Sequence, residues 1–145
     1  GMALLSFLVV GIDGVNLPWR QFATAAYMDV IWDGAFGNFR TLLQNISTNV
    51  AMGYYLTFAG NRKANPNTGA VPDENYARES MQLFTIGLQR LNPDGSVQTN
   101  GGQPVETYTQ EDITGLARVF TGWNIDSSDN TTPDRMRRPM ALLFG

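Results

Sequence analysis

Val71–Leu88 reads VPDENYARESMQLFTIGL, and its reading decides the fold. Pro72 followed by Asp73 is a helix-start signal, because an Asp carboxylate accepts hydrogen bonds from the free N–H groups of a first turn. Glu74 adds negative charge where the helix dipole favours it. At about 100° per residue, Tyr76, Ala77, Ser80, Met81, Leu83, Phe84 and Leu88 fall on one arc. Glu74, Asn75, Arg78, Glu79, Gln82 and Thr85 fall on the other. Gly87 ends the helix or lets the chain turn.

Asn75, Arg78, Glu79 and Gln82 stand at i, i+3, i+4 and i+7, so one ridge carries a carboxylate, a guanidinium and two amides. Such a ridge can bind a polyol, an anion or a metal-bound water. The alternative is a solvated outer face whose ion pair is worth about 0–1 kcal/mol. Ser80 has no histidine to activate it, since the chain contains none.

The remaining sequence reads as packing around this helix. The chain has 145 residues, enough for one domain with a core. The formal charge is −3, and Lys63 is the only lysine. Arg137–Arg138 in a Pro-flanked tail is too small a basic cluster for nucleic-acid binding. Without His or Cys, histidine bases, thiolate nucleophiles and zinc sites are excluded within this sequence; any metal would need oxygen ligands. No metal or other cofactor is expected. GxGxxG, the P-loop and GxSxG are absent. Ala3–Val10 is too short to span a bilayer, and it lacks the basic flank and cleavage site of a signal peptide. Gly1 before Met2 reads as a tag-cleavage scar.

Pro18 suits a first helical turn, and Trp19 to Phe36 predicts a helix apolar on most sides, which is usually central. Asp29 falls with Phe22, Ala25 and Trp32. It is either paired with an arginine or capping a neighbour, or it is a buried acid lining a pocket. Asn38 can cap a helix over Phe39–Ile46, and Ser47 or Thr48 can cap one from about Asn49 to Phe58. Gly60–Ala70 predicts a polar loop. Asn92-Pro93-Asp94-Gly95 is a strong turn signal with a short ribbon of Gln89–Leu91 and Ser96–Gln98 about it. Asn100-Gly101-Gly102 is a second turn, and Val105–Tyr108 a further short strand. Thr109 and Asp112 make a capping box for a helix to about Trp123, with Thr114, Arg118 and Thr121 facing away from its apolar arc. Arg118 is placed to reach Glu79 or Asp29 if that helix packs on the central one. From Asn124 the sequence loses periodicity and reads as a mobile tail over 124–145. The fold class is therefore mainly α: about five helices in an orthogonal, bundle-like single domain, with a short hairpin between the last two long helices.

Two motifs in order, PDENYARESMQLFTIGL with LNPDG and then YTQEDITGLARVFTGW, resemble the bacterial family called domain of unknown function 1800. The stretch YMDVIWDGAFGNFRTLLQNISTNVAMGYYL is similar to that family's region before the central helix. The resemblance runs from about Gln21 to Trp123. It implies a largely helical fold, an internal portion of a longer architecture, and an exported or periplasmic setting. It places Asp29, Asn75, Arg78, Glu79, Asp112, Arg118 and Trp123 at the family's recurrent polar and aromatic positions. Ser80 departs from it, where an apolar residue, commonly Leu, is usual; a C-terminal half containing His in relatives is also missing.

Two functional readings follow. One is an interaction or assembly module, a protein partner or second copy covering apolar ends at Ala3–Val10 and Met140–Phe144. The other is a hydrolase-like or glycan- or anion-binding domain. There Asp29 and Glu79 would be the carboxylate pair, roughly 5–10 Å apart across a cleft, and Asn75, Arg78 and Arg118 would hold ligand. A purely structural role is the third possibility: Asp29, Arg78, Glu79, Asp112 and Arg118 as a buried network fixing helix packing.

Overall fold

The computed structural model describes residues 2–126, 128 and 132–143. After the short helix α1 (Met2–Leu5) and a 3-10 turn (Ile12–Gly14), α2 (Arg20–Asp33), α3 (Phe39–Ser47) and α4 (Val50–Tyr55) follow in close succession. Helix α5 (Asn75–Glu79) runs into a π-helical turn at Ser80–Phe84. A small hairpin, β1 (Thr99–Asn100) with β2 (Gln103–Pro104), precedes α6 (Gln110–Val119). The second hairpin pairs β3 (Trp123–Asn124) with β4 (Ala141–Leu142), with a 3-10 turn at Pro133–Met136 between them. The chain is helix-rich, as expected, but it carries two antiparallel hairpins where the sequence pointed to one.

Local chemistry sets the starts of α3, α4 and α6. Asn38 Oδ1 accepts the Thr41 N–H at 3.2 Å and opens α3. Asn49, and not Ser47 or Thr48, caps α4 by accepting the Ala51 N–H at 2.9 Å. Thr109 and Asp112 form the expected reciprocal box on α6. Asp73 does not cap α5 as a helical N-cap; its carboxylate accepts the Asn75 N–H at 2.8 Å. The Asn61 side chain grips the Asp73 backbone from both sides, donating to its carbonyl at 3.0 Å and accepting its N–H at 3.1 Å.

The predicted central helix loses regular α geometry after Glu79. Ser80 Oγ donates back to the Tyr76 carbonyl and Thr85 Oγ1 to the Ser80 carbonyl, both at 2.7 Å. Hydroxyls bonding preceding carbonyls compete with the backbone ladder and bend helices, and here the ladder slips to a π-turn. Gly87 then takes φ +72°, the left-handed conformation glycine adopts without strain.

One main core gathers Leu8, Val15, Tyr27, Ile31, Ile46, Met52, Phe58, Tyr76 and Met136, all fully buried. The Tyr27 hydroxyl inside it donates to the Leu8 carbonyl at 2.8 Å, and burial pushes that phenol well above its ordinary pKa. A smaller cluster of Ala77, Ile113 and Ala117 joins α5 to α6. The apolar ends are split: Leu8, Val10 and Met140 are buried, whereas Phe7, Val9, Leu142 and Leu143 are exposed. The stretch from Asn124, read from the sequence as a mobile tail, returns to the core over 132–143. Met140 donates its N–H to the Thr48 carbonyl at 2.7 Å, and Leu143 donates to Gly122 at 2.9 Å. Phe144 lies outside the described residues, as do 127, 129–131 and 145.

Helix α2 is the main departure. The sequence made it central, but only Ala23, Ala26, Tyr27 and Ile31 are buried. Phe22, Met28 and Trp32 are exposed along its outer side, and Phe36, in the turn just beyond it, is 100% exposed. Periodicity measures apolar character and not its covering, so a helix apolar on every side reads as central even when one side faces water.

Candidate functional site

The polar ridge of α5 resolves into a network centred on Glu74. Its Oε2 accepts from Gln110 Nε2 at 2.8 Å, and its Oε1 accepts from Thr114 Oγ1 at 2.8 Å. Arg78 Nη2 reaches both Glu74 Oε2 and Gln110 Oε1 at 3.4 Å. One carboxylate thus staples the first turn of α5 to the first turns of α6, above the Ala77–Ile113–Ala117 contact. The Thr114 and Gln110 hydrogen bonds, then the Arg78 charge, hold the Glu74 carboxyl below the usual carboxylate range.

The sign of the pH effect follows. A carboxyl whose folded pKa is depressed contributes stability that is present above its unfolded pKa and lost as pH falls through the folded value. Glu74→Gln should therefore make the loss of stability between about pH 5 and 3 shallower, though Asp94 and Asp112 are held low as well and keep part of the slope. Urea unfolding at several pH values checks this; superimposable pH profiles for the two proteins would refute the role assigned to Glu74.

Beside the network lies a cleft of about 550 Å³. Arg78 and Gln82 of the α5 segment form one wall, and Gln103, Glu106, Tyr108 and Gln110 from β2 to α6 form the other. Arg78 and Glu106 face the same cleft without forming an ion pair. The Tyr108 hydroxyl is buried and has no hydrogen-bond partner among the described residues.

The structure separates the other candidates. Asp29 is not buried: it sits on the exposed side of α2 and pairs with Arg137 at 3.8 Å, both side chains about two-thirds exposed. Glu79 is half-buried and its side chain makes no hydrogen bond or ion pair among the described residues, and neither Glu79 nor Asp29 lines the cleft. Asn75 is exposed at the start of α5. Arg118 is exposed and forms no ion pair with Glu79 or Asp29. Asp112 serves the α6 cap, so the five-residue buried network does not form. Thr121, expected to face away, is buried, and Thr114 turns inward to Glu74. Sequence reading missed Glu74, Gln110, Glu106 and Tyr108. The i, i+4 spacings Glu74–Arg78 and Gln110–Thr114 were the available signal, but which helix each pair would meet was not written locally.

The family described as "Protein of unknown function (DUF1800)" matches residues 4–143. The chain belongs to the DUF1800 family. The match extends the resemblance read from Gln21–Trp123 to the second hairpin and back to the end of the first helix of this DUF1800 chain. No curated protein and no solved structure matches it. Among its described residues, no helix is long and apolar enough to cross a membrane.

Proposed function

We propose that this DUF1800 chain is an interaction module that assembles through the outer face of α2, with a second copy of itself as the occupant. The observation that carries this reading is surface in excess. The chain exposes 8876 Å², whereas a self-contained monomer of 16.0 kDa is expected to expose about 7,400 Å². A standard interface covers about 800 Å² on each partner, so the excess is ample for one.

Part of the exposed surface is apolar. Trp32 is 68% and Phe36 100% exposed, with Phe22 and Phe39 beside them in sequence order along α2 and the start of α3. Asp29 on this face and Arg137 next to it supply one acid and one base. A two-fold contact places the same patch against itself and can exchange such a pair between copies. The apolar ends add to the exposed apolar surface only in part: Leu8, Val10 and Met140 are internal, while Phe7, Val9, Leu142 and Leu143 are exposed. The exported setting rests on family resemblance alone. The hydrolase-like alternative gains nothing from the polar cleft, which neither Asp29 nor Glu79 lines.

Sedimentation equilibrium tests the proposal. The wild type should show a concentration-dependent mass above 16.0 kDa. A Trp32→Ser/Phe36→Ser variant should sediment as a monomer with an unchanged circular dichroism spectrum. A wild type that stays monomeric into the millimolar range would overturn it.

A further inference from the structure

A second recess, of about 190 Å³, lies where α3, the π-turn after α5 and α6 meet. Among the described residues it shares no wall with the polar cleft or with α2. Leu43, Met81, Leu116 and Phe120 give it apolar sides, and it reaches the surface at Thr85, which is exposed. Its polar side chains are the hydroxyls of Ser47, Tyr76, Ser80 and Thr85, and each hydroxyl has one proton to donate. Ser47 Oγ donates to the Leu43 carbonyl, Ser80 Oγ to the Tyr76 carbonyl and Thr85 Oγ1 to the Ser80 carbonyl, all at 2.7 Å. The proton in the 2.7 Å contact between Ser47 and Tyr76 therefore comes from Tyr76. Every one of these protons is committed within the chain, and the hydroxyls retain lone pairs alone.

A water molecule in this recess meets side-chain acceptors but no side-chain donor, between walls that are otherwise apolar. Well-held buried water makes about three hydrogen bonds, and poorly held water is displaced by an apolar group with a gain in affinity. An apolar cavity of about 150 Å³ takes benzene, so about 190 Å³ leaves room for a slightly larger ring system. Tyr76 and Phe120 already meet edge to face, with centroids 4.7 Å apart and planes at 81°, and a further ring can join them in that way. Met81 supplies a flexible, polarizable wall that adapts to a flat ligand. The π-turn runs through the site, and such turns are frequent at functional sites. We propose that the recess binds a small planar aromatic molecule, of one ring or two fused rings, whose single N–H or O–H donates to one of the hydroxyl oxygens. A polyol brings more donors and acceptors than these walls satisfy, and an anion meets only lone pairs. The site owes nothing to the α2 face, so it stands or falls separately from self-association.

The probe is indole, with N-methylindole as the analogue that lacks the donor and myo-inositol as the polyol. Titration followed by nuclear magnetic resonance should show saturable binding of indole at millimolar concentration or below. Nuclear Overhauser contacts should run from indole to the rings of Tyr76 and Phe120 and to the methyls of Leu43 and Leu116. N-methylindole should bind about threefold to tenfold more weakly, as expected for one lost neutral hydrogen bond, and myo-inositol not at all. Leu116→Trp and, separately, Leu43→Trp each put an indole of the chain's own into the recess and should abolish binding with an unchanged circular dichroism spectrum. Where either variant fails to fold, the contacts in the wild type decide. The Trp32→Ser/Phe36→Ser variant should bind indole as the wild type does. Absence of saturable binding at millimolar indole overturns the proposal, and so do contacts confined to Trp32 and Phe36. N-methylindole binding as tightly as indole also overturns it. So does indole that dissociates the wild-type assembly, since the recess would then belong to an aromatic side chain of a second copy.

Discussion

Tyr76→Ala is expected to destabilise the chain by about 3–5 kcal/mol. The side chain is 1% exposed and is the aromatic hub of the core. Its ring centroid lies 4.4 Å from that of Phe58, 4.7 Å from Phe120 and 6.3 Å from Phe84. It is also the residue through which α5 reaches the main core; Ala77 beside it belongs to the smaller cluster shared with α6. Truncation removes three ring contacts and leaves a cavity that the flanking π-turn and α3 cannot close without moving. At this chain length, such a loss lowers the melting temperature on the order of 10 °C. Tyr76→Phe separates packing from polarity: it removes only the hydroxyl contact with Ser47 at 2.7 Å and should cost about 1 kcal/mol. Thermal and urea unfolding measure both. If Tyr76→Ala costs no more than Tyr76→Phe, the aromatic cluster does not hold α5 in place.

The second large effect is expected at Met140, where Met140→Ala should cost about 2–5 kcal/mol. Met140 is 3% exposed, and its thioether fills a notch in α4. A Cβ built on Gly53 would stand 2.6 Å from the Met140 sulfur and 3.2 Å from the Ala59 Cβ. Gly53→Ala alone should therefore destabilise, though less, because the end of a methionine can swing aside. In the Gly53→Ala/Met140→Ala double variant, the new methyl enters space vacated by the thioether. The double should be more stable than the sum of the single losses implies, by an interaction energy of about 0.5 kcal/mol or more. Strict additivity in the double-mutant cycle would show that the two sites do not share that space.

These two residues mark the boundary of what was legible from the chain. Features set within four or five residues came through: the Asn38 cap, the Thr109–Asp112 box and the turn at Asn100-Gly101-Gly102, where Gly101 and Gly102 take φ +58° and +82°. The grouping of Tyr76, Ser80 and Phe84 on a buried side also held. What failed depended on distant partners or on covering. Met140 looked like a loose apolar end because its notch lies at Gly53, far away in sequence. For Asp29 the reading as an arginine partner held, with Arg137; the alternative of a buried acid failed because the aromatics beside it on the helix are themselves in water. The candidate site was half legible. Arg78 and Gln82 were on the ridge, but Glu74 had been given only a dipole role, and its partners Gln110 and Thr114 sit 36 and 40 residues on. The central helix was over-long because hydroxyl competition at Ser80 and Thr85 carries no weight in an apolar periodicity count.

The π-turn has a geometric sequel. A π-turn holds one residue more than the α-turn it replaces, and one residue on a helix is worth about 100° of heading. The direction in which the chain leaves Phe84 is therefore set by a single surplus residue, and with it the bearing of the whole arm from Leu88 to Tyr108. Deleting one residue within Ser80–Phe84 would swing that arm about the α5 axis, carrying Glu106 away from Arg78 and shifting Phe84 from its place in the main core.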